Sequence, residues 1–143
     1  MTQQQERAGT LRIFVSYSSD DRWFATLLLD RLANHSGVSV FATQNLSAAG
    51  DYRRRLKEEL RAAGAFLVLL SPRSVRSNWV LYELGAAWAL GKPIVAVLTD
   101  PAVRSKIPIE AHQLSIVHVG DPKEPGAVDR ILEKLHPNGQ WHL

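Results

Sequence analysis

The segment Ala65-Phe66-Leu67-Val68-Leu69-Leu70-Ser71-Pro72 decides which fold the sequence can adopt. Its first six residues are all apolar, and such a run is typical of a central parallel strand that is buried on both faces. Ser71-Pro72 ends the run, because proline has no backbone N–H to continue a strand ladder. A strand that is buried on both faces needs helices above and below it, so the segment predicts an α/β protein.

Outward from this segment, short β-like runs alternate with longer stretches of helical periodicity. The other predicted strands are 11–15, 38–42, 93–98 and 115–119. The predicted helices run from 23 to about 36 and over 51–63, 78–90 and 125–135, with a loop at 44–51 and an irregular segment at 99–114. Ser19 or Asp20 is expected to cap the first helix, and Gly91 to end the third. This alternation predicts a single parallel sheet with helices on both faces.

The composition excludes several classes of protein and of site. The 143 residues, 45% of them hydrophobic, suffice for one globular domain, and no apolar run is long enough for a membrane span or a signal peptide. The sequence has no cysteine, which excludes disulfides, a thiolate nucleophile and cysteine-based zinc sites, and no two of its five histidines are spaced i, i+4. We expect a cytoplasmic domain without a metal, in which 1–10 form a disordered leader and 136–143 a tail or the start of a linker.

The net charge is +3, and the basic residues are unevenly distributed along the chain. Five of them crowd into the second predicted helix: Arg53, Arg54, Arg55, Lys57 and Arg61. Only Glu58 and Glu59 oppose them there. A basic helix face attracts phosphate groups, although a solvated surface is the simpler interpretation. No aromatic residues interleave with these charges, so we expect no sequence-specific binding of nucleic acid.

In open parallel sheets ligands bind beyond the carboxyl ends of the strands, and several kinds of site are excluded there. No Gly-x-Gly-x-x-Gly or Gly-x-x-x-x-Gly-Lys-Ser/Thr motif follows the first strand, which argues against dinucleotide-binding and P-loop chemistry. The third strand ends at Ser71 and not at an aspartate, which argues against a phospho-receiver domain. A Gly-x-Ser-x-Gly nucleophile elbow is also missing.

The helix predicted at 78–90 carries a carboxylate in an otherwise apolar stretch. Its apolar stripe, expected to face the sheet, consists of Leu81, Leu84 and Trp88. Trp79 and Glu83 are four residues apart and therefore lie one above the other on a neighbouring face. An aromatic wall beside a carboxylate suits a cleft that holds a flat ligand and a developing positive charge. The alternative is a surface glutamate that pairs with Arg76 or Lys92.

Taken in order, five segments of this chain resemble a Toll/interleukin-1 receptor (TIR) domain of the bacterial kind. They are Ile13-Phe14-Val15-Ser16-Tyr17-Ser18, Val38-Ser39-Val40-Phe41 with the loop 44–52, Phe66-Leu67-Val68-Leu69-Leu70-Ser71-Pro72, Ser77-Asn78-Trp79-Val80-Leu81-Tyr82-Glu83-Leu84, and Gly91-Lys92-Pro93-Ile94-Val95-Ala96-Val97. The resemblance covers 11–135. It implies a flavodoxin-like three-layer α/β fold, with a central five-stranded parallel sheet and helices on both faces.

The resemblance also implies a reaction and a set of site residues. Enzymatic members of this family cleave NAD⁺ at the nicotinamide–ribose bond and carry a glutamate in a Trp-x-x-x-Glu pattern, which makes Glu83 the catalytic residue. The positions that it implies for substrate binding are Trp79, Tyr17, Ser18, Phe41 and Ser16. The loop that mediates assembly and gates the site in this family corresponds here to a segment that includes Gln44, Asn45, Leu46, Gly50 and Tyr52.

By the same resemblance NAD⁺ is a substrate and not a cofactor, and its product is ADP-ribose or a cyclic ADP-ribose. Assembly with other TIR domains would activate the enzyme, and a sensor domain of a longer protein would trigger it, commonly in antiphage defence. One alternative is a non-catalytic scaffold that binds other TIR domains. A further alternative is an enzyme similar to the nucleoside deoxyribosyltransferases, which also use a glutamate on an N-glycosidic bond.

Overall fold

The computed structural model describes residues 10–42, 52–107 and 114–135. The strands are Leu11–Ser16 (β1), Val38–Ala42 (β2), Ala65–Leu70 (β3), Ile94–Leu98 (β4) and Ser115–His118 (β5). The α-helices are Arg22–Ala33 (α1), Tyr52–Ala62 (α2), Asn78–Ala89 (α3) and Ala127–Leu135 (α4), and short 3-10 helices occupy Ser19–Asp21, Ser74–Arg76 and Pro101–Lys106. The predicted strands and helices are therefore confirmed to within a few residues at their ends. The loop expected at 44–51, the tail at 136–143 and nearly all of the leader lie outside the described residues.

The five strands form one parallel sheet in the order β2-β1-β3-β4-β5, which confirms the predicted fold class. All six residues of β3 are buried, as its unbroken apolar run requires. Phe14 of β1 lies in register with Phe41 of β2 and with Phe66 of β3. The ring of Phe14 lies 5.6 Å from each of the other two rings, so three phenylalanines cross the sheet side by side.

Alternation along the strands divides the core into two layers. Ile13, Val15 and Tyr17 belong to the layer beneath α1 and α4. Phe14 belongs to the opposite layer, beneath α2 and α3, and the same alternation places Ser16 on that side. Among the described residues, no helix combines the length and the apolar character that a bilayer span requires.

Polar caps and one glycine fix the ends of the helices. Neither Ser19 nor Asp20 caps α1, because both lie in the 3-10 helix that precedes it. Ser18 caps that 3-10 helix, where its Oγ accepts a hydrogen bond from the Asp20 N–H at 3.2 Å, and Asp21 is the N-cap of α1 without a side-chain hydrogen bond to it. Ser77 Oγ caps α3 by accepting from the Val80 N–H at 3.3 Å. Gly91 follows α3 with a φ of 71°, the left-handed conformation that commonly ends a helix, as predicted.

The face that α3 presents to the sheet differs from the expected one. The buried residues of α3 are Val80, Glu83, Leu84 and Ala87. Trp88 was expected to face the sheet but is 51% exposed, and Leu81 is only partly buried, so that part of the prediction was wrong. Leu84 belongs to both the expected stripe and the buried one. The stripe that packs against the sheet is the one with the smaller side chains Val80 and Ala87. Small side chains let the helix axis approach the sheet closely, whereas the Trp88 indole would hold it away.

Candidate active site

The candidate site lies where the order of the strands reverses. The first strand, β1, has β2 on one side and β3 on the other, so the loops that leave β1 and β3 diverge and open a crevice at the carboxyl edge. The last residue of β1 is Ser16, and α3 begins a few residues after the end of β3. Since α3 packs against both β1 and β3, its first half lies over this crevice.

Glu83 lies on the inner face of α3 and has no exposed surface. The Tyr52 hydroxyl donates a hydrogen bond to Glu83 Oε2 at 3.0 Å. Glu83 is therefore not a surface glutamate paired with Arg76 or Lys92, and that interpretation is wrong. The Lys92 ammonium instead donates to the backbone carbonyls of Arg61 and Ala63, at 3.0 and 2.7 Å, and so caps the end of α2.

Tyr52 and Trp79 form an aromatic pair beside this carboxylate. Their ring centroids are 4.8 Å apart and their planes are tilted by 32°. Tyr52 is the first residue of α2 and is partly buried, while Trp79 is 40% exposed. The aromatic pair therefore extends from the buried carboxylate to the surface. Burial, together with the negative charge and the hydrogen bond of Glu83, raises the pKa of Tyr52 well above its usual value. The phenol therefore remains a protonated donor at neutral pH.

Ser16 carries a polar atom that the fold does not satisfy. The residue has no exposed surface, and within the described part of the chain its Oγ has no hydrogen-bond partner. A buried hydroxyl without a partner costs about 1–3 kcal/mol. Such groups are rare in folded proteins and each one calls for an explanation. This one lies at the end of β1, on the face of the sheet that α3 covers, which makes it a candidate contact for a ligand in the crevice.

Ser18 and Trp79, both expected to bind substrate, line one cleft together. Its volume is about 290 Å³, and Ser19 and Ser77 complete its described lining. The cleft joins the loop after β1 to the first turn of α3. Four hydroxyl-bearing or aromatic side chains can accept, donate and stack here, which suits a polar ligand with a flat group.

The remaining two predicted binding residues lie elsewhere. Tyr17 is 8% exposed and packs in the layer beneath α1 and α4, on the other side of the sheet from α3, and burial raises its pKa. Phe41 packs on Phe14 and lines a larger cavity, of about 740 Å³, between β2 and α2. In this cavity the Glu59 carboxylate forms ion pairs with Arg12, at 3.3 Å from Oε1, and with Arg55, at 3.6 Å from Oε2. The structure does not bring Tyr17 or Phe41 together with Glu83.

Two features of the site were missed in the sequence. Tyr52 was expected to serve an assembly loop, whereas its side chain contacts Glu83; the other residues assigned to that loop, Gln44 to Gly50, lie outside the described residues. Ser71 Oγ also donates to Asp21 Oδ2 at 3.0 Å, which ties the segment after β1 to the end of β3. Neither contact has a local signal, because each joins residues at least 31 positions apart.

The part of the chain that the structure describes holds no cluster of acidic or histidine side chains arranged to bind a metal ion. The groups that the structure places at this edge are one buried carboxylate, two aromatic rings and several hydroxyl groups. A carboxylate held in such surroundings stabilises a developing positive charge more strongly than it would in water.

Comparisons with known proteins agree with this architecture. A family model described as TIR domain matches residues 13–132. The crystal structure of the TIR domain of the Toll-related receptor TRR-2 from Hydra magnipapillata is 15% identical, with a TM-score of 0.68 over 87% of this chain and 97% of that one. A de novo designed Rossmann 2x3 protein, also 15% identical, gives a TM-score of 0.55 over 92% of this chain and 93% of its own. No curated protein matches the chain.

Proposed function

This chain belongs to the TIR domain family, and on that premise we propose that it cleaves the nicotinamide–ribose bond of NAD⁺, with Glu83 as the catalytic residue. The product is ADP-ribose or a cyclic ADP-ribose, according to whether water or a group of the substrate attacks the ribose. Self-assembly with other TIR domains activates the reaction. We place the activity in the cytoplasm of a bacterium, in antiphage defence, under the control of a sensor domain.

The burial of Glu83 is the observation that carries this proposal. A carboxylate with no exposed surface pays a desolvation cost, which folding alone gives no reason to accept on an apolar helix. In a reaction, however, a buried carboxylate can stabilise a positive charge that develops beside it. Nicotinamide leaves NAD⁺ as a neutral base, so the barrier lies in the positive charge that develops on the ribose. A buried carboxylate stabilises that charge, or traps the sugar covalently for a time.

The neighbouring groups have roles that follow from their positions. Trp79 is partly exposed, and its indole ring can stack on the nicotinamide ring or the sugar. Ser18 lines the same cleft, and the Ser16 hydroxyl, which has no partner among the described residues, supplies a hydrogen bond at the end of β1. These side chains bind and orient the substrate, while Glu83 alone acts on the reacting carbon.

The test is nicotinamide release from NAD⁺ by the wild-type chain and by Glu83→Gln. The amide keeps an acceptor for Tyr52 but removes the charge, so we expect the rate to fall by at least about a hundredfold while the fold is retained. Glu133→Gln is the matched control, since Glu133 is exposed on α4, and it should cleave NAD⁺ at the wild-type rate. Activity that rises faster than linearly with protein concentration would indicate activation by assembly.

A scaffold without catalysis is the second candidate, and a different set of residues favours it. The outer face of α3 and the residue that follows it expose Tyr82, Trp88 and Leu90 by 57%, 51% and 46%. Exposed aromatic residues on one helix are typical of interaction surfaces. If Glu83→Gln assembles and signals as the wild type does, and neither protein releases nicotinamide at any concentration, the scaffold function is correct and the enzymatic one is wrong.

A further inference from the structure

The hydrogen bond between Tyr52 and Glu83 constrains any ligand that is to reach the carboxylate. Glu83 has no exposed surface, and the phenol oxygen lies 3.0 Å from its Oε2. A carboxylate oxygen can accept more than one hydrogen bond, but because Glu83 has no exposed surface a ligand can reach it only if a group that covers it moves. The Tyr52 phenol is a described group in contact with Oε2, so its displacement would open that oxygen to a ligand.

We propose that the Tyr52 hydroxyl holds the place of a ribose hydroxyl on Glu83, and that the substrate binds by displacing it. The inference rests on the proposed function, because it takes the sugar of NAD⁺ as the incoming donor. It makes Tyr52 a positioning residue that acts through Glu83. The exchange replaces one neutral O–H donor on Oε2 by another, so the number of donors to that oxygen is the same before and after the substrate binds.

The surroundings of Tyr52 allow this movement. Tyr52 is the first residue of α2, and its side chain is only partly buried. Its ring packs on Trp79, which is 40% exposed, so the space that the phenol leaves faces the surface and not the closed core. The elevated pKa of Tyr52 is consistent with a phenol that remains a donor until it is displaced.

The test is Tyr52→Phe, which keeps the ring and its packing on Trp79 and removes only the competing hydroxyl. The wild-type protein must break the contact before it can bind, and this lowers its apparent affinity. We expect the KM for NAD⁺ to fall about tenfold, with kcat changed by less than about twofold, because the phenol has left Oε2 in the bound state. Carba-NAD⁺, which keeps the ribose hydroxyls but is not cleaved, should bind Tyr52→Phe about tenfold more tightly in calorimetry.

Glu133→Gln is again the control, since Glu133 is exposed on α4, which is not part of the proposed site, and its KM should equal that of the wild type. All proteins are compared at one concentration, at which assembly is the same, and after their thermal unfolding shows that they are folded. If the wild type cleaves NAD⁺ and Tyr52→Phe has an unchanged or higher KM, the displacement is refuted and the proposed function stands. If neither protein binds carba-NAD⁺ or releases nicotinamide, the proposed function itself is wrong, and this inference falls with it.

Discussion

The buried hydroxyl of Ser16 leads to a prediction of unusual sign: Ser16→Ala should stabilise the protein. Most core substitutions destabilise. Here the side chain has no exposed surface and its Oγ has no partner among the described residues, so folding loses the hydration of the hydroxyl and gains no hydrogen bond in return. That loss costs about 1–3 kcal/mol, and the small packing deficit left by one missing oxygen offsets part of the gain. We expect a net stabilisation of about 1 kcal/mol.

Equilibrium urea unfolding and thermal unfolding measure this change. For a domain of this size, 1 kcal/mol corresponds to an increase in Tm of about 3 °C. Ser74→Ala is the matched control, because Ser74 is equally buried but its Oγ accepts a hydrogen bond from the Ser71 N–H at 2.8 Å. Its removal leaves that N–H buried and unpaired, so Ser74→Ala should cost about 1–3 kcal/mol.

The two serine variants should therefore move the free energy of unfolding in opposite directions. If Ser16→Ala destabilises as much as Ser74→Ala does, the Ser16 hydroxyl has a partner in solution and is not available to a ligand. If Ser16→Ala is more stable and its KM for NAD⁺ rises, then the protein gives up stability at this position for substrate binding. Such an exchange is common at functional sites.

Three further predictions concern the helices and the response to pH. Leu84→Ala should lower the free energy of unfolding by about 3 kcal/mol in urea titrations, and Trp88→Ala by about 1 kcal/mol or less, because only Leu84 faces the sheet. Equal losses would show that Trp88 also packs against the sheet, as the sequence predicted. Gly91→Ala should lower the unfolding free energy by about 1 kcal/mol, since its φ of 71° is unfavourable for alanine, and an unchanged Tm would contradict that reasoning. The pKa of Tyr52 is raised on folding, so its contribution to stability is complete below its usual value of 10.0 and is lost at higher pH. Tyr52→Phe should therefore lose less stability than the wild type between about pH 9 and pH 11 in urea titrations, whereas identical slopes would show that this phenol titrates normally.

The sheet was predictable because each of its strands has a local signal. The unbroken apolar run of β3 indicates burial on both faces, and short β-branched runs mark its partners, so the element order and the parallel topology follow from the sequence. The orientation of α3 was not predictable in the same way. Its sequence contains two apolar stripes that share Leu84, and only the space available above β1 and β3 decides which of them is buried.

The site was only partly predictable, for a related reason. The spacing of Trp79 and Glu83 places them on one side of α3 in any helix, and the structure retains that relation. The contact of Glu83 with Tyr52 instead depends on how α2 packs against α3, a distance that neither periodicity nor composition encodes. Ser16 is the last residue of β1 and Tyr17 follows it, but because successive side chains along a strand point to opposite faces, the two lie on opposite sides of the sheet.

The distribution of buried polar residues argues that this end of the molecule was shaped by something other than stability. Among the described residues the buried polar or charged ones are Ser16, Ser71, Ser74 and Glu83. All four lie at the carboxyl end of β1, just beyond β3 or in the first half of α3, while the rest of the described core is apolar. Ser71 and Ser74 are hydrogen-bonded to each other and hold the turn after β3, but the Ser16 hydroxyl has no partner among the described residues and the Glu83 carboxylate loses its hydration. Folding alone therefore gives no reason to place Ser16 and Glu83 at the edge where open parallel sheets bind ligands. A requirement for binding or catalysis does.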